Sequence, residues 1–326
     1  MEIHYQIVKM LSDGRFHSGE ALAKKLGISR AAIWKQIRHI REQLDLDLFA
    51  VRGRGYRLAQ PLDLLDENLI TSSIPPKSRQ LLSRLEIHHR IKSTNSYLMA
   101  LGAEGVDSGC VALAEQQYSG RGRRGRQWIS PYGSNIYISI LWRYTLAPVE
   151  LTGLSLAVGI GVMRSLEALG VNGVGLKWPN DLLCDGRKLA GLLLEVTGEQ
   201  TGPSCVVLGL GLNTLLTKAQ GADIDQPWID LIQIPGGGGI SRNELVAVLL
   251  GNLLEVMAGF EQEGLAPFTA EWQRHDLYHG KAVVLRMGTR HIEGIHSGID
   301  SSGALRLEEN GEIKIYHGGE VSLRPL

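Results

Sequence analysis

Apolar positions near the N-terminus recur at helical spacing and predict three helices. The first runs from Ile3 to Leu11 with an apolar residue every fourth position. Ser18 begins a second helix as its N-cap, Gly27 ends it, and Ser29 begins a third. The apolar stripe of the third helix is Ile33, Ile37, Ile40 and Leu44. Because the turn between the last two helices is very short, the pattern predicts a helix-turn-helix.

Two short apolar segments follow and flank the basic turn 52–55, which predicts a small hairpin, or wing, with arginines at its tip. Early residues of a recognition helix reach base edges, whereas wing arginines hold phosphates. The candidate DNA-binding residues are Gly19, Ser29, Arg30, Ala31, Trp34, Lys35, Arg52 and Arg54. Trp34 is large for a base-reading position, which leaves the DNA sequence preference open. A small helical domain that binds protein is the alternative.

Strand and helix patterns mix after this module, and short alternating strands follow them. Pro61 and Asp63 mark the exit from the first module. Ser302-Gly303 and Asn310-Gly311 separate C-terminal strands in a pattern typical of a small β-barrel of roughly SH3 size. The sequence therefore predicts an α+β protein with three domains, at residues 1–62, 63–275 and 276–326.

The composition is that of a globular protein with a large core, since 44% of the 326 residues are hydrophobic. No apolar run approaches the ~20 residues that cross a membrane, and the N-terminus does not resemble a signal peptide. We therefore expect a cytoplasmic protein with no membrane partner. Cys110, Cys184 and Cys205 stand apart in apolar stretches, so we expect buried free thiols and no structural zinc.

Charge is unevenly distributed, although the net charge is zero. Residues 1–60 carry 11 Lys and Arg against 6 Asp and Glu, so the remainder carries 23 against 28. A basic head on an acidic body predicts that only the head touches nucleic acid.

Residues 120–126 place four arginines among three glycines, and Gln127-Trp128 follow. Glycine loses much entropy when it is ordered, and the arginine charges repel one another unless an anion lies among them. The pattern predicts a mobile flap that orders around a polyphosphate or a negative intermediate, with a solvated basic loop or a nucleic-acid contact as alternatives. The spacing also matches GxGxxG, but a strand rather than a helix follows, so we reject a dinucleotide site.

Three further segments place polar or small residues beside predicted strands. Residues 93–95 stand at a strand-to-helix turn, where they either cap the helix or bind a polar group such as a ureido carbonyl. Lys177, Asp181 and Lys188 lie across a predicted hairpin, where a magnesium ion or a phosphate is one interpretation and an ordinary turn or a surface ion pair is the other. The glycines of 208–213 permit close approach of a ligand. No Walker A sequence is present, so a P-loop does not hold any nucleotide.

Together these segments resemble the biotin protein ligases. The motifs are Ser93-Thr94-Asn95, Gln117-x-x-Gly120-Arg-Gly-Arg-Arg-Gly-Arg126-x-Trp128, Lys177-Trp-Pro-Asn-Asp181, Arg187-Lys-Leu-Ala-Gly191 and Gly209-x-Gly-x-Asn213. The helix-turn-helix makes the chain similar to the bifunctional subclass, which also represses the biotin operon. This resemblance implies a winged helix-turn-helix, a central mixed α/β ligase domain of the class II aminoacyl-tRNA synthetase-like type, and a C-terminal SH3-like β-barrel.

The resemblance also implies a two-step reaction. Biotin and Mg²⁺-bound ATP give biotinoyl-5′-AMP and pyrophosphate, and biotin then passes to a lysine of the biotin carboxyl carrier protein of acetyl-CoA carboxylase. A homodimer of the adenylate-bound protein is expected to bind the operator DNA of the biotin operon.

Matched position by position, the resemblance assigns site residues. Those for biotin are Ser93, Thr94, Asn95, Gln117, Arg121, Gly122, Arg123 and Lys188. Those for ATP or the adenylate are Arg121, Arg124, Trp128, Lys177, Asn180 and Asn213. The catalytic residues are Lys188, Asp181 and Arg123, and Asp181 is also the candidate ligand for Mg²⁺.

Three alternatives stay open at this point. One is a lipoate-type ligase, whose substrate has no ureido ring. Another is a biotin-sensing repressor with weak or no ligase activity, against which the intact Lys188 and Asp181 argue. The last is a monofunctional ligase whose head no longer binds DNA, which the basic head disfavours.

Overall fold

The computed structural model describes residues 2–318 and 321–325 of the chain. The N-terminal module consists of α1 (Glu2–Leu11), α2 (Gly19–Leu26), α3 (Arg30–Leu44) and an antiparallel hairpin of β1 (Leu48–Val51) and β2 (Gly55–Leu58). The hydroxyls of Ser18 and Ser29 each accept a backbone N–H from three residues further along. Gly27 ends α2 in the left-handed region, with φ at 64°. The predicted caps and wing are therefore confirmed.

The core of this module extends into the central part of the chain. The predicted stripe of α3 is buried, and Tyr132, which follows the arginine loop, lies in the same apolar cluster with 2% of its surface exposed. The buried carboxylate of Glu115 accepts the N–H of Leu65 at 2.7 Å and a hydrogen bond from Arg242 Nη1 at 2.8 Å. We call these four residues the junction. They fix the segment after the wing against the central domain.

A seven-stranded sheet lies at the centre of the molecule. Its strands are β3 (Arg84–His88), β4 (Cys110–Ala114), β5 (Ile136–Tyr144), β6 (Val174–Lys177), β7 (Asp181–Cys184), β8 (Arg187–Gly198) and β9 (Ser204–Leu212), in the spatial order β3-β4-β5-β9-β8-β7-β6. Only β3 and β4 run parallel among these neighbours. The inner strands β4, β5 and β9 are apolar along most of their length because both of their faces are buried. The three free cysteines are buried in this sheet, as predicted.

Helices cover the sheet. They are α4 (Glu67–Ser73), α5 (Pro76–Arg79), α6 (Thr94–Ala103), α7 (Leu154–Ala168), α8 (Arg242–Glu263) and α9 (Ala266–His275). Among the described residues, α8 is the one helix whose length and apolar composition would suffice to cross a membrane. However, 67% of the apolar stretch of α8 is buried inside the protein, where the helix packs against α7. We therefore interpret α8 as a core helix.

The described C-terminal residues form a five-stranded antiparallel sheet. Its strands are β10 (Ala282–Met287), β11 (Arg290–Ile299), β12 (Leu305–Glu309), β13 (Glu312–Tyr316) and β14 (Val321–Pro325), in the spatial order β13-β12-β11-β10-β14. The turns predicted at Ser302-Gly303 and Asn310-Gly311 lie between β11 and β12 and between β12 and β13, whereas β14 was not predicted. Trp178 Nε1 donates a 3.0 Å hydrogen bond to the carbonyl of Gly303. This contact docks the sheet against the central domain.

Candidate functional site

A cavity of about 350 Å³ opens at the central sheet, and the predicted ligand-binding residues line it. They are Ser93, Thr94, Asn95, Gln117, Arg121, Gly122, Arg123, Arg124, Trp128, Lys177, Asn180, Asp181, Lys188 and Asn213. They come from distant parts of the chain, and the fold brings them to one space. Their individual roles stay predictions.

The floor of the cavity depends on two glycines of β9. A Cβ atom at Gly211 would lie 2.3 Å from Trp128 Cε2, and one at Gly209 would lie 2.2 Å from Asn95 Oδ1. We predicted that these glycines allow a ligand to approach the backbone. In the structure they make room for Trp128 and Asn95, two side chains that line the cavity, and the approach of a ligand stays a prediction.

One end of the cavity carries hydroxyl and amide groups without charge. Ser93 caps α6 by accepting the N–H of Ser96 at 3.3 Å, which confirms the capping interpretation. Gln117 Oε1 accepts the N–H of Thr94 at 2.9 Å. Ser139 Oγ lies 2.7 Å from Thr94 Oγ1 and 2.6 Å from Asn95 Oδ1. We call Ser93, Thr94, Asn95, Gln117 and Ser139 the neutral end.

The other end is charged. β6 and β7 form a hairpin in which Lys177 stands opposite Asp181, and β8 brings Lys188 alongside. Lys188 Nζ lies 2.7 Å from Asp181 Oδ1, and Lys177 Nζ lies 3.6 Å from Asp181 Oδ2. Lys188 Nζ also lies 5.4 Å from the centre of the Trp128 ring. We call Lys177, Asp181 and Lys188 the charged end.

Burial and mutual attraction compete within the charged end. Burial alone would raise the pKa of Asp181, but the neighbouring Lys188 and Lys177 outweigh it and hold that pKa below its usual value. Burial lowers the pKa of Lys177 to about 8, even though Asp181 pulls it upward. Near neutral pH the cluster therefore carries a net positive charge, which suits a phosphate or carboxylate ligand.

A resident magnesium ion at the charged end would need carboxylate oxygens free to bind it. No group of three or more His, Cys, Asp or Glu side chains that could hold a metal occurs in the part of the chain that the structure describes. Both carboxylate oxygens of Asp181 already face ammonium groups. Mg²⁺ is usually held by one or two free carboxylates together with phosphates. These residues therefore do not fit a metal held by the protein alone.

The arginine loop is folded in the structure. Gly122 donates its N–H to the carbonyl of Arg126 at 2.7 Å, and one turn of 3₁₀ helix spans Arg123–Gly125. Arg121 Nη2 lies 2.9 and 3.0 Å from the two carboxylate oxygens of Glu195. Arg123 Nη1 donates to Asn180 Oδ1 at 2.6 Å. We expected an external anion to be needed, whereas the protein itself supplies partners for two of the arginines.

Sequence reasoning missed several residues of the site. Glu195, Ser139 and the segment 223–228, which ends at Trp228, were not singled out, and Leu323 comes from the unpredicted β14. The segment has no helical or strand periodicity to identify it. In the structure a Cβ atom at Gly221 would lie 2.3 Å from the Trp228 ring, so glycine is required beneath it, but the sequence alone does not relate these two residues.

The candidate DNA-binding residues lie on the N-terminal module. Trp34 is 58% exposed, and the Arg38 guanidinium lies 5.4 Å from its ring centre. Arg54 lies over the Phe16 ring at 4.1 Å. The exposed candidates are Ser29, Arg30, Ala31, Trp34, Lys35, Arg52 and Arg54, whereas Gly19 is half-buried. Their contact with DNA stays a prediction.

Three regions of the chain match described protein families. Residues 87–213 match the Biotin/lipoate A/B protein ligase family. Residues 4–57 match an HTH domain, and residues 278–324 match the Biotin protein ligase C terminal domain. The three matches follow the order of the three parts of the fold.

The chain is also similar to individual proteins. The Bifunctional ligase/repressor BirA of Escherichia coli (strain K12) is 41% identical over 319 residues, 98% of this chain and 96% of that protein. The Biotin--[acetyl-CoA-carboxylase] ligase of Mycobacterium tuberculosis is 34% identical over 244 residues, 73% of this chain and 88% of that protein. The solved Biotin protein ligase from Aquifex aeolicus in complex with biotin and ATP has a TM-score of 0.64 at 27% identity, covering 75% of this chain and 100% of that chain.

Proposed function

The chain belongs to the biotin protein ligases of the bifunctional ligase/repressor type, and from this premise we propose that it activates biotin with ATP, transfers it to a carrier protein and represses transcription. The solved relative that holds biotin and ATP supports these two substrates. The helix-turn-helix module supports the DNA-binding function.

In the first step a carboxylate oxygen of biotin attacks the α-phosphorus of ATP. The bond from that phosphorus to the bridging oxygen breaks, and pyrophosphate leaves. Both reactants are anions, so the site must supply fixed positive charge. We assign Lys188 to the biotin carboxylate and the α-phosphate, and Lys177, Asn180 and Arg123 to the phosphates. Asp181 then serves to hold the two ammonium groups in place.

We assign the two ends of the cavity to different parts of the substrates. We assign Ser93, Thr94, Asn95 and Gln117 to the ureido ring, because the neutral end offers directed hydrogen bonds without charge. The remaining assignments are Arg121 and Gly122 to biotin and the adenylate, and Arg124, Trp128 and Asn213 to the adenylate.

In the second step the amine of a carrier lysine attacks the acyl carbon of biotinoyl-5′-AMP. The amine loses a proton, the bond to the phosphate oxygen breaks, and AMP leaves. An acyl phosphate reacts with water, so the arginine loop must exclude solvent until the carrier arrives. We propose the biotin carboxyl carrier protein of acetyl-CoA carboxylase as the acceptor, as in the name of the mycobacterial relative.

Finer features of the molecule belong to the same proposal. Mg²⁺ enters as part of the Mg²⁺-bound ATP substrate rather than as a resident ion. The domains divide at residues 62 and 275, the central one is of the class II aminoacyl-tRNA synthetase-like type, and the C-terminal sheet is an SH3-like barrel. The protein acts in the cytoplasm, where ATP, the carrier and the operator are found.

Repression follows from dimer formation. We propose that the adenylate-bound protein forms a homodimer, which presents two helix-turn-helix modules to the half-sites of the palindromic biotin operator. The exposed α3 residues and the wing arginines support this assignment. Operator binding by gel shift is expected to tighten when biotin and ATP are added together. Equally tight binding without them would contradict the proposal.

The observation that carries the ligase proposal is a single cavity with a neutral end and a charged end. The test is ATP–pyrophosphate exchange, which is expected with biotin and absent with lipoate. Exchange that depends on lipoate would favour the lipoate-type alternative. A single-turnover assay with the carrier domain then tests transfer, and failure of transfer despite adenylate formation would favour a biotin-sensing repressor.

A further inference from the structure

Glu195 holds a position that connects the neutral end with the arginine loop. On β8, Gly191, Leu193 and Glu195 point to the same face of the sheet, because side chains alternate along a strand. Gly191 and Leu193 line the cavity. Glu195 is the next residue on that face, and its side chain is 26% exposed. It reaches a binding residue on α6 and an arginine of the loop at once.

The contacts of Glu195 fix the orientation of one amide. Asn95 Nδ2 donates to Glu195 Oε2 at 2.9 Å. An ionised carboxylate can only accept hydrogen bonds, so the NH₂ group of Asn95 must face Glu195. The carbonyl oxygen Asn95 Oδ1 must then face Ser139, which lies 2.6 Å away. The carbonyl of Leu193 is a second acceptor for Asn95 Nδ2 but lies 3.4 Å away, so without the carboxylate the orientation of the amide would rest on this long contact alone.

The orientation of the Asn95 amide determines the direction of the next hydrogen bonds in the neutral end. Asn95 Oδ1 only accepts, so the single hydroxyl proton of Ser139 is used for it. The Thr94 hydroxyl lies 2.7 Å from Ser139 Oγ and 3.1 Å from Gln117 Oε1, and either oxygen can accept its single proton. Gln117 Oε1 also accepts the backbone N–H of Thr94 at 2.9 Å. Because the proton of Ser139 goes to Asn95, the Thr94 hydroxyl acts as a donor toward these partners, and its oxygen keeps a lone pair to accept a hydrogen bond from a ligand.

The same carboxylate holds the first arginine of the loop. Arg121 Nη2 contacts both oxygens of Glu195 at 2.9 and 3.0 Å. The loop and the neutral end therefore share one anion, which lies outside the set of residues that the family resemblance assigns.

We propose that Glu195 is a positioning residue that sets the direction of the hydrogen bonds at the biotin end and holds Arg121 beside them. This inference rests on the proposed function and assigns Glu195 no contact with the reacting atoms. A ureido ring presents two N–H donors and one carbonyl acceptor, so its affinity depends on which way each protein group points. A neutral amide in place of the carboxylate would allow the reverse direction.

The test is Glu195→Gln in the full-length protein, with Glu199→Gln, an exposed residue just after the same strand, as the matched control. We expect the KM for biotin in ATP–pyrophosphate exchange to rise about tenfold or more, as for loss of a hydrogen bond to a charged group. The KM for ATP and the kcat are expected to change by less than about threefold. The control is expected to match the wild type.

A purely structural role would shift all of these constants together and lower the thermal unfolding midpoint. We therefore expect an unchanged midpoint, and we expect the effects of Glu195→Gln and Arg121→Ala to be non-additive because they remove one shared contact. Glu195→Asp, which shortens the reach to Asn95, is a second variant expected to raise the KM for biotin. A KM for biotin within about twofold of the wild type in both variants would overturn the inference. Lack of biotin-dependent exchange in the wild type would instead overturn the proposed function.

Discussion

Two loops of this protein have almost the same composition and opposite surroundings. The wing loop 52–55 and the arginine loop 120–126 both alternate arginine with glycine. Arg52 and Arg54 are exposed, and neither forms an ion pair among the described residues. In the arginine loop, Arg121 instead pairs with Glu195, and Arg123 hydrogen-bonds Asn180.

We infer from this difference that the protein partners of an arginine, rather than its sequence context, indicate what it binds. An exposed guanidinium with no carboxylate beside it can follow a long phosphate backbone, where position matters little. A guanidinium that is held by a carboxylate or an amide has a fixed orientation, which suits the binding of a single small ligand. Replacing residues in each loop and measuring ligase activity and DNA binding separately tests this difference.

The largest effect is expected from Arg123→Ala. Arg123 is half-buried next to the charged end, and this burial lowers the pKa of its guanidinium. Loss of one such charge in a preorganised site costs ~10²–10³ in rate. We expect a fall of about that size in the kcat of biotin-dependent ATP–pyrophosphate exchange. Arg54→Ala is the control and is expected to leave the exchange unchanged. A similar loss of activity in both variants would contradict a specific role of Arg123 in the reaction.

A second effect is expected on DNA binding from the double replacement of Arg52 and Arg54 by alanine. Each lost phosphate contact reduces the steepness of log K against log salt by about 0.9, so loss of two contacts in each protomer of the homodimer is expected to reduce it by about 3.6. Affinity should weaken alike on operator and unrelated DNA, measured by fluorescence anisotropy at several salt concentrations. Ligase activity should not change, and a loss confined to the operator would show that the wing reads bases.

A third effect concerns pH and the charged end. Because burial lowers the pKa of Lys177 to about 8, with Asp181 opposing and Arg324 and Lys188 reinforcing this, its ammonium charge is lost above that pH. We expect the KM for ATP to rise by up to about tenfold between about pH 7 and pH 9, as a charged hydrogen bond to phosphate is lost. Lys177→Met should abolish this pH dependence, and its persistence would assign the titration to another group.

The lowered pKa of Lys177 also affects the free energy of unfolding. With rising pH this effect is favourable, whereas the effect on ATP binding is unfavourable. The folded pKa lies below the usual value of 10.5, so between about 8 and 10.5 the unfolded chain binds more protons than the folded one. This group therefore adds stability as the pH rises through that window, and it costs stability below it. The ATP affinity and the contribution of Lys177 to stability should move in opposite directions with pH.

The smallest effect is expected from Arg124→Ala. This residue was predicted to bind the adenylate and lines the cavity, but its side chain is exposed. An exposed charge contributes little because water screens it, so we expect the KM for ATP to change by less than about threefold. A loss as large as that of Arg123→Ala would show that exposure within the loop does not decide the role.

Much of this fold could be predicted from the sequence, because its determinants are local. Ser18, Ser29 and Gly27 act within one turn of the helices that they delimit. Glu195 could not be predicted in the same way, because it lies 74 residues from Arg121 in sequence and its neighbours in residues 189–196 are otherwise apolar or small. Gly209 was predicted to allow close approach, but only the folded sheet shows that Asn95 is the group that approaches.

The junction has a consequence for how the two activities can be separated. Tyr132 completes the apolar interior of the N-terminal module, and the N–H of Leu65 occupies one oxygen of Glu115. Cutting away the first 65 residues would expose Tyr132 to solvent and remove the amide of Leu65 from the buried ion pair of Glu115 and Arg242, close in sequence to the arginine loop. The N-terminal module thus covers and stabilises part of the central domain. A shortened protein that lacks this module would therefore be less stable, even if it were made only to study catalysis.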